Sequence, residues 1–160
     1  MNIICIDPWL LSYQERKGER ERERHNNTGT ISNILSTVYS NLANVSSLLW
    51  HAFASLPSPS SSVNWAGFYV RSDKFPGQQL QNQKQDELLL GPFNGKPACQ
   101  QIRFGKGVCG TAASKRETVL VHDVFQFPGH IACDAESRSE IVVPILVNGE
   151  VCISYMIFSF

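Results

Sequence analysis

Ile141-Val142-Val143-Pro144-Ile145-Leu146-Val147, then Asn148-Gly149, then Val151 through Phe160, is the stretch that decides the fold. Two β-branched, apolar runs flank a two-residue turn of the type whose backbone takes positive φ at both central positions. That turn folds the second run back antiparallel on the first. Upstream, Val63 to Val70 (VNWAGFYV) is aromatic and β-branched and reads as another strand. Leu88-Leu89-Leu90, Ala98 to Phe104 and Thr118 to Val124 give further short strands. The polar, Gln-rich residues 71–85 suit a surface loop, and Gly105 to Ser114 reads as a glycine-opened turn entering a short helix. Phe125 to Ser137 is irregular, with the loop composition of a ligand site.

Ahead of these strands the period is helical. Ile31, Ile34, Leu35, Val38, Leu42, Val45, Leu49, Ala52, Phe53 and Leu56 recur at three- and four-residue steps, with Thr28 or Thr30 as N-cap. Pro57 to Ser62 cannot continue a helix. A leading helix followed by short strands with small helical insertions predicts an α+β fold on an antiparallel sheet. Glu15 to Arg24 is a mixed-charge run with no apolar face. The expected organisation is therefore a low-complexity, disordered leader over 1–27 and one domain over 28–160.

With 160 residues there is room for a single core. Lys+Arg and Asp+Glu both number 14, so the net charge is zero. That balance argues against nucleic acid, whose binding draws on surplus positive charge, and against a polybasic membrane surface. No apolar run approaches the roughly 18 residues that span a bilayer. Met1 to Leu11 lacks a basic start and a cleavage motif, so a cytoplasmic location is expected, and the sequons at Asn26 and Asn44 carry no glycan meaning. Thiols stay reduced there. Cys5, Cys99, Cys109, Cys133 and Cys152 then read as chemistry, metal or plain core rather than as a disulfide scaffold.

Gly105-Lys106-Gly107-Val108-Cys109-Gly110 spells G-x-G-x-x-G, with Asp123 at a ribose-like distance downstream. The preceding run, Cys99 to Phe104, is too polar for the first strand of a buried parallel sheet, and no βαβ repetition follows. These glycines read as the shape of a turn presenting Cys109. No Cys-x-x-Cys pair exists, so a zinc ribbon is unsupported and no metal is expected; a scattered His130, Cys133, Cys99, Cys109 site is the alternative. Cys5 and Cys152 fit the small buried hydrophobe. Cys133, among Pro128, Gly129, His130 and Asp134, sits in a loop, where a nearby cation or helix N-terminus makes a thiol a usable nucleophile.

Asn64-Trp65-Ala66-Gly67-Phe68-Tyr69, Leu90-Gly91-Pro92-Phe93, Ala98-Cys99-Gln100, Gly105 to Ala112, Pro128 to Asp134 and Ser139 to Pro144 appear in order over about residues 30–149. Together they closely resemble the GAF-domain free methionine-(R)-sulfoxide reductases. The resemblance implies a GAF architecture, with helices packed on the sheet and a small-molecule pocket under a loop lid. It implies that Cys133 attacks the sulfoxide sulfur, leaving methionine and a sulfenic acid that Cys99 resolves to a disulfide, with Cys109 as a further thiol. Trp65 and Tyr69 would wall the pocket, unless they are ordinary core aromatics. Glu140 would bind the substrate and protonate its oxygen, unless it is a surface carboxylate at a strand start. Asp134 would orient the loop. His130 would stabilise the Cys133 thiolate or bind the turn backbone.

The family's strand after the Asn-Gly turn bears an Asp-x-Asp pair belonging to the substrate site, and a helix follows. Here no carboxylate lies beyond Glu150. The expectation is a C-terminally truncated or divergent member with one sheet face uncovered and weak or no turnover. No bound cofactor is expected; thioredoxin, fed by NADPH, is the implied reductant. Free methionine-(R)-sulfoxide, thioredoxin and a homodimeric second copy are the implied partners. A non-catalytic GAF module that senses a small ligand is the alternative function.

Overall fold

A computed structural model of the chain describes residues 19–75, 86–131 and 134–159, and of residues 19–35 the backbone alone. The first element is a long helix, α1 (Glu19–Ala54). It begins well ahead of Thr30, so neither Thr28 nor Thr30 caps it, and residues 19–27 of the expected leader are helical. Glu and Arg are good helix formers, and Glu19/Arg22 and Glu21/Arg24 set opposite charges three residues apart. An apolar face is therefore not needed for the backbone to stay helical there. Residues 1–18 lie outside the described residues, Cys5 among them.

Six strands follow in one fully antiparallel sheet: β1 (Val63–Arg71), β2 (Glu87–Gly95), β3 (Gln101–Arg103), β4 (Val119–Val121), β5 (Ser139–Val147) and β6 (Glu150–Ser159), in the order β3-β2-β1-β6-β5-β4. A short helix, α2 (Gly107–Lys115), links β3 to β4. The β5–β6 hairpin turns on Asn148 and Gly149, both at positive φ, which asparagine tolerates and glycine, lacking a Cβ, adopts freely. Several strands differ in length from the sequence reading: β4 is confined to Val119–Val121, with Val124 in a 3₁₀ turn, and β5 starts earlier, at Ser139. β2 runs on through Pro92 because β1 pairs with it as far as Gly95, and Ala98 to Gln100 stays irregular.

The strand period of two sorts the side chains onto two faces. On one, Phe68, Val70, Cys152 and Ile153 pack under α1, which contributes Val38, Tyr39 and Leu42. Ser46 takes the next turn of that helix: it is fully buried, donates to the Ala66 carbonyl at 2.8 Å and accepts from Asn94 at 2.8 Å. The helix axis thus turns Val45 and Ala52 outward, and Leu56, beyond the helix end, is exposed as well, although all three belong to the sequence's apolar stripe. α1 lies over β1 and β2. Farther along the same face Ile141, Val143 and Ile157 are half-buried.

The second face carries the main core: Trp65, Tyr69, Leu88, Val142, Met156 and Phe158 against Val108, Cys109, Ala112 and Ala113 of α2. Register makes rows across it. Trp65 pairs with Phe158, Phe158 with Glu140 and Glu140 with Val121, while Gly67, Met156, Val142 and Val119 form the next row. A carboxylate on β5 is thereby set in line with the aromatic residues of β1.

Candidate functional site

The glycine-rich turn decides where α2 begins. Gly105 N–H donates to the Gly110 carbonyl at 2.7 Å and Gly110 N–H to the Lys106 carbonyl at 3.0 Å. A Cβ on Gly110 would stand 2.1 Å from the Arg103 carbonyl oxygen, so only glycine lets the helix close on β3. Asp123 caps a short 3₁₀ turn by accepting from Phe125 N–H. The G-x-G-x-x-G run is thus a close-packing turn, and Asp123 is engaged elsewhere.

Directly beside this turn a small, partly open cleft is lined by Ile102, Lys106, Gly107, Val108, Cys109, Ile131, Glu140, Met156 and Phe158. At its floor the Cys109 thiol stands 3.3 Å from Glu140 Oε1 and 3.0 Å from Met156 Sδ. Glu140 is 4% exposed. Burial raises its carboxyl to about 7, against a smaller opposing effect from the Cys109 hydrogen bond. Cys109 is fully buried, and desolvation, with the neighbouring carboxylate, holds its thiol well above the usual range. The pair is therefore a protonated thiol beside a carboxyl that exchanges its proton near neutrality.

Trp65 and Tyr69 stand one layer behind the cleft. The Trp65 ring stacks on Phe93 (centroids 5.4 Å apart) and packs against Phe158 (5.3 Å) and Tyr69 (6.1 Å). The Tyr69 hydroxyl donates to the Cys99 carbonyl at 2.5 Å, fixing the irregular segment that carries this cysteine. Burial raises the Tyr69 phenol, so it stays a donor. Cys99 and Cys152 are both disulfide-bonded, and Cys109 is a free thiol. Cys152 is thus not the plain core thiol that its apolar context suggests. An apolar neighbourhood reports burial, not bonding.

Cys133 lies outside the described residues, but the chain on either side of it is placed. Ile131 lines the cleft, within 3.4 Å of where a Gly107 side chain would begin. Asp134 Oδ2 accepts from Asn64 Nδ2 at 3.1 Å, and its Oδ1 accepts from Glu136 N–H at 3.0 Å. Asn64 also donates to Ser137 Oγ at 2.9 Å. Lys96 pairs with Asp134 at 3.6 Å and with Glu136. Asp134 is the turn-orienting residue the sequence suggests. Asn64 and Lys96 are the residues that sequence reasoning missed as positioning groups. Asn64, at the head of an aromatic strand, was the available signal.

His130 is bound to the Phe127 carbonyl through its backbone N–H, and its Nδ1 is buried with no hydrogen-bond partner. Desolvation lowers its imidazole, which disfavours a thiolate-stabilising cation. No cluster of three or more His, Cys, Asp or Glu suited to a metal occurs among the described residues. No helix among them is long and apolar enough to cross a membrane.

No family model matches the chain. It is 57% identical over 108 residues (68% of this chain, 53% of the relative) to the free methionine-R-sulfoxide reductase of Saccharomyces cerevisiae. It is 38% identical over 138 residues to the GAF domain-containing protein A of Dictyostelium discoideum, covering 84% of this chain and 75% of that one. Among solved structures it superposes, at TM-score 0.59 and 38% identity, on the free methionine-R-sulfoxide reductase of Neisseria meningitidis in complex with its substrate. That match covers 79% of this chain and 69% of the solved one. The chain spans 53–58% of the length of the first relatives it matches.

Proposed function

The chain belongs to the free methionine-R-sulfoxide reductases of GAF fold, and from that membership we propose that its cleft reduces the methyl sulfoxide of free methionine-(R)-sulfoxide. The observation that carries the reading is Glu140 at the floor of a partly open cleft, buried, hydrogen-bonded to a thiol and titrating about 7. A sulfoxide oxygen leaves only once protonated, and a carboxyl that keeps its proton near neutral pH delivers it where the sulfur is attacked.

In this reading Cys133 is the nucleophile. Its thiolate attacks the sulfoxide sulfur while Glu140 protonates the oxygen; methionine departs and Cys133 is left as sulfenic acid. Cys99 then displaces water from that sulfur to form a disulfide. Ile131 on the cleft wall and Asp134 on Asn64 fix both ends of the segment bearing Cys133. Tyr69 fixes the segment bearing Cys99. Phe158, backed by Trp65, gives the methyl group an apolar surface. Regeneration falls to an external dithiol of the thioredoxin class, with NADPH as the ultimate donor and no cofactor held by the chain. Thioredoxin and a cytoplasmic location belong to the same proposal.

Methionine release from each sulfoxide epimer, with dithiothreitol or a thioredoxin–thioredoxin reductase–NADPH couple, tests it. Methionine from the R epimer alone is expected. Saturable binding of that epimer without conversion would favour the ligand-sensing alternative.

A further inference from the structure

The cleft already contains a thioether. Met156 is 1% exposed, lines the cleft floor, and puts its Sδ 3.0 Å from Cys109 Sγ, whose other neighbour is Glu140 Oε1 at 3.3 Å. Sheet register holds all three: Met156 pairs with Val142 on β5, two residues from Glu140, and α2 lays Cys109 across both strands. Cys109 and Met156 have no part in the attack by Cys133. A thiol, a thioether and an acid are nevertheless arranged as nucleophile, product and proton donor for sulfoxide reduction. We propose that Met156 is an internal substrate: once a hydroperoxide entering the cleft oxidises it to the sulfoxide, Cys109 reduces it in place, with Glu140 carrying the proton.

The step balances within the chain. The Cys109 thiol gives its proton to the Glu140 carboxylate, and the resulting thiolate attacks the Met156 sulfoxide sulfur. Glu140 returns the proton to the sulfoxide oxygen, and as that oxygen passes to Cys109 the transient Cys109–Met156 S–S bond and the Met156 S–O bond both break while an S–O bond forms at Cys109. Met156 is reduced to the thioether and Cys109 is oxidised to sulfenic acid, a two-electron oxygen transfer with hydroperoxide as the only outside oxidant. An added thiol then returns Cys109 to the reduced state. Unrepaired, a polar sulfoxide on a fully buried side chain would disrupt the core that seats α2. Intramolecular contact makes the thiol effective despite its burial, because the partners need no encounter. The proposal rests on the acid role given to Glu140 but not on Cys133.

The test is to reduce the full chain, remove the reductant, expose it to hydrogen peroxide and follow Met156 and Cys109 by peptide mass spectrometry with dimedone trapping. Met156 sulfoxide should persist in Cys109→Ala and be lost from the wild type over the same period. The dimedone adduct at Cys109 should fall in Met156→Leu, since direct peroxide attack on the thiol would be unaffected by that change. Equal persistence of Met156 sulfoxide in wild type and Cys109→Ala overturns the proposal, as does an absence of Met156 oxidation in both. Cys109→Ser serves if the alanine variant does not fold. Turnover of free methionine-(R)-sulfoxide, measured alongside, separates the two claims: either reaction can be present without the other.

Discussion

Asn64 Nδ2 lies 3.1 Å from Asp134 Oδ2, a bond that ties the head of β1 to the residue next to Cys133 across 70 positions of chain. Together with its 2.9 Å bond to Ser137, it makes one buried amide the anchor of the loop that carries the proposed nucleophile. Asn64→Ala is expected to destabilise the domain by about 1–3 kcal/mol, the usual effect of leaving buried partners unpaired. Its kcat/KM should separately fall by roughly a hundredfold, because a displacement of an ångström misplaces the attacking sulfur. Chemical denaturation and turnover at a temperature where the variant is folded measure the two effects separately. Intact kcat/KM in a folded variant would remove the anchor from the mechanism.

Glu140 gives the reaction and the fold a shared pH signature. The acid role needs its protonated form, so the rate constant for methionine release should decline as pH rises through about 7, and Glu140→Gln should lose this limb. The variant's rate should drop by roughly 10²- to 10⁴-fold, as expected for removal of a positioned acid.

Stability follows with a definite sign. The folded carboxyl holds its proton up to about 7, whereas the unfolded one releases it near 4.5, so the folded state binds the extra proton between these values. Glu140's contribution to stability is therefore greatest below about 4.5, declines as pH rises to 7 and levels off above, a change of about 3 kcal/mol. Urea denaturation of wild type against Glu140→Gln from pH 4 to 8 measures it. The stability difference should shift in favour of Gln as pH rises, and a difference flat in pH would contradict the burial of an ionisable carboxyl.

The cleft's charge predicts how it treats the two ends of the amino acid. Lys106 is a cation on its lining, whereas Glu140 is the one carboxyl there among the described residues, and β6 presents Met156 and Phe158. Among the described residues an α-ammonium thus finds on the lining no carboxylate other than Glu140, which is half protonated near neutrality, whereas Lys106 offers an α-carboxylate a full charge. Deleting the amino group, as in 4-(methylsulfinyl)butanoate, should change kcat/KM by less than about threefold. A charge-assisted bond lost on deletion would cost about 1.5–3 kcal/mol, tenfold or more. A loss of that size, measured by competition with methionine-(R)-sulfoxide, would show an acidic partner for the ammonium.

Gly110→Ala tests the turn that sets Cys109. A new Cβ would meet the Arg103 carbonyl at 2.1 Å, and backbone cannot yield as a side-chain tip does. A loss of about 2–4 kcal/mol in thermal or chemical denaturation is expected, comparable to other overpacked or strained sites. A neutral substitution would mean that α2 does not depend on this contact.

The sheet was legible in the sequence wherever local chemistry decided it. Asn148-Gly149 has one low-energy hairpin, and VNWAGFYV has a strand period with a strand composition. The start of α1 was not legible, because Glu–Arg helix propensity acts without the apolar face that periodicity looks for. Ser46 in place of Val45 on the packed face follows from where β1 and β2 present a carbonyl and an amide, which is tertiary information. In the site, Glu140 and Cys109 were legible through family motifs, and the structure puts them in contact. Trp65 belongs to a family motif too yet stands behind Phe158, since strand register and not motif membership fixes which residue fronts the cleft. Met156 gave no signal at all. A methionine in an apolar strand reads as core until the sulfur facing it is known.

The central claim is that a cysteine of this chain takes the oxygen from methionine-(R)-sulfoxide, and a single-turnover experiment reads it most directly. Fully reduced protein, freed of reductant and mixed with excess R epimer, should release methionine in proportion to protein and acquire a disulfide joining Cys133 to Cys99, while Cys133→Ser releases none. Methionine release undiminished in Cys133→Ser, or equal from the S epimer, would contradict the account.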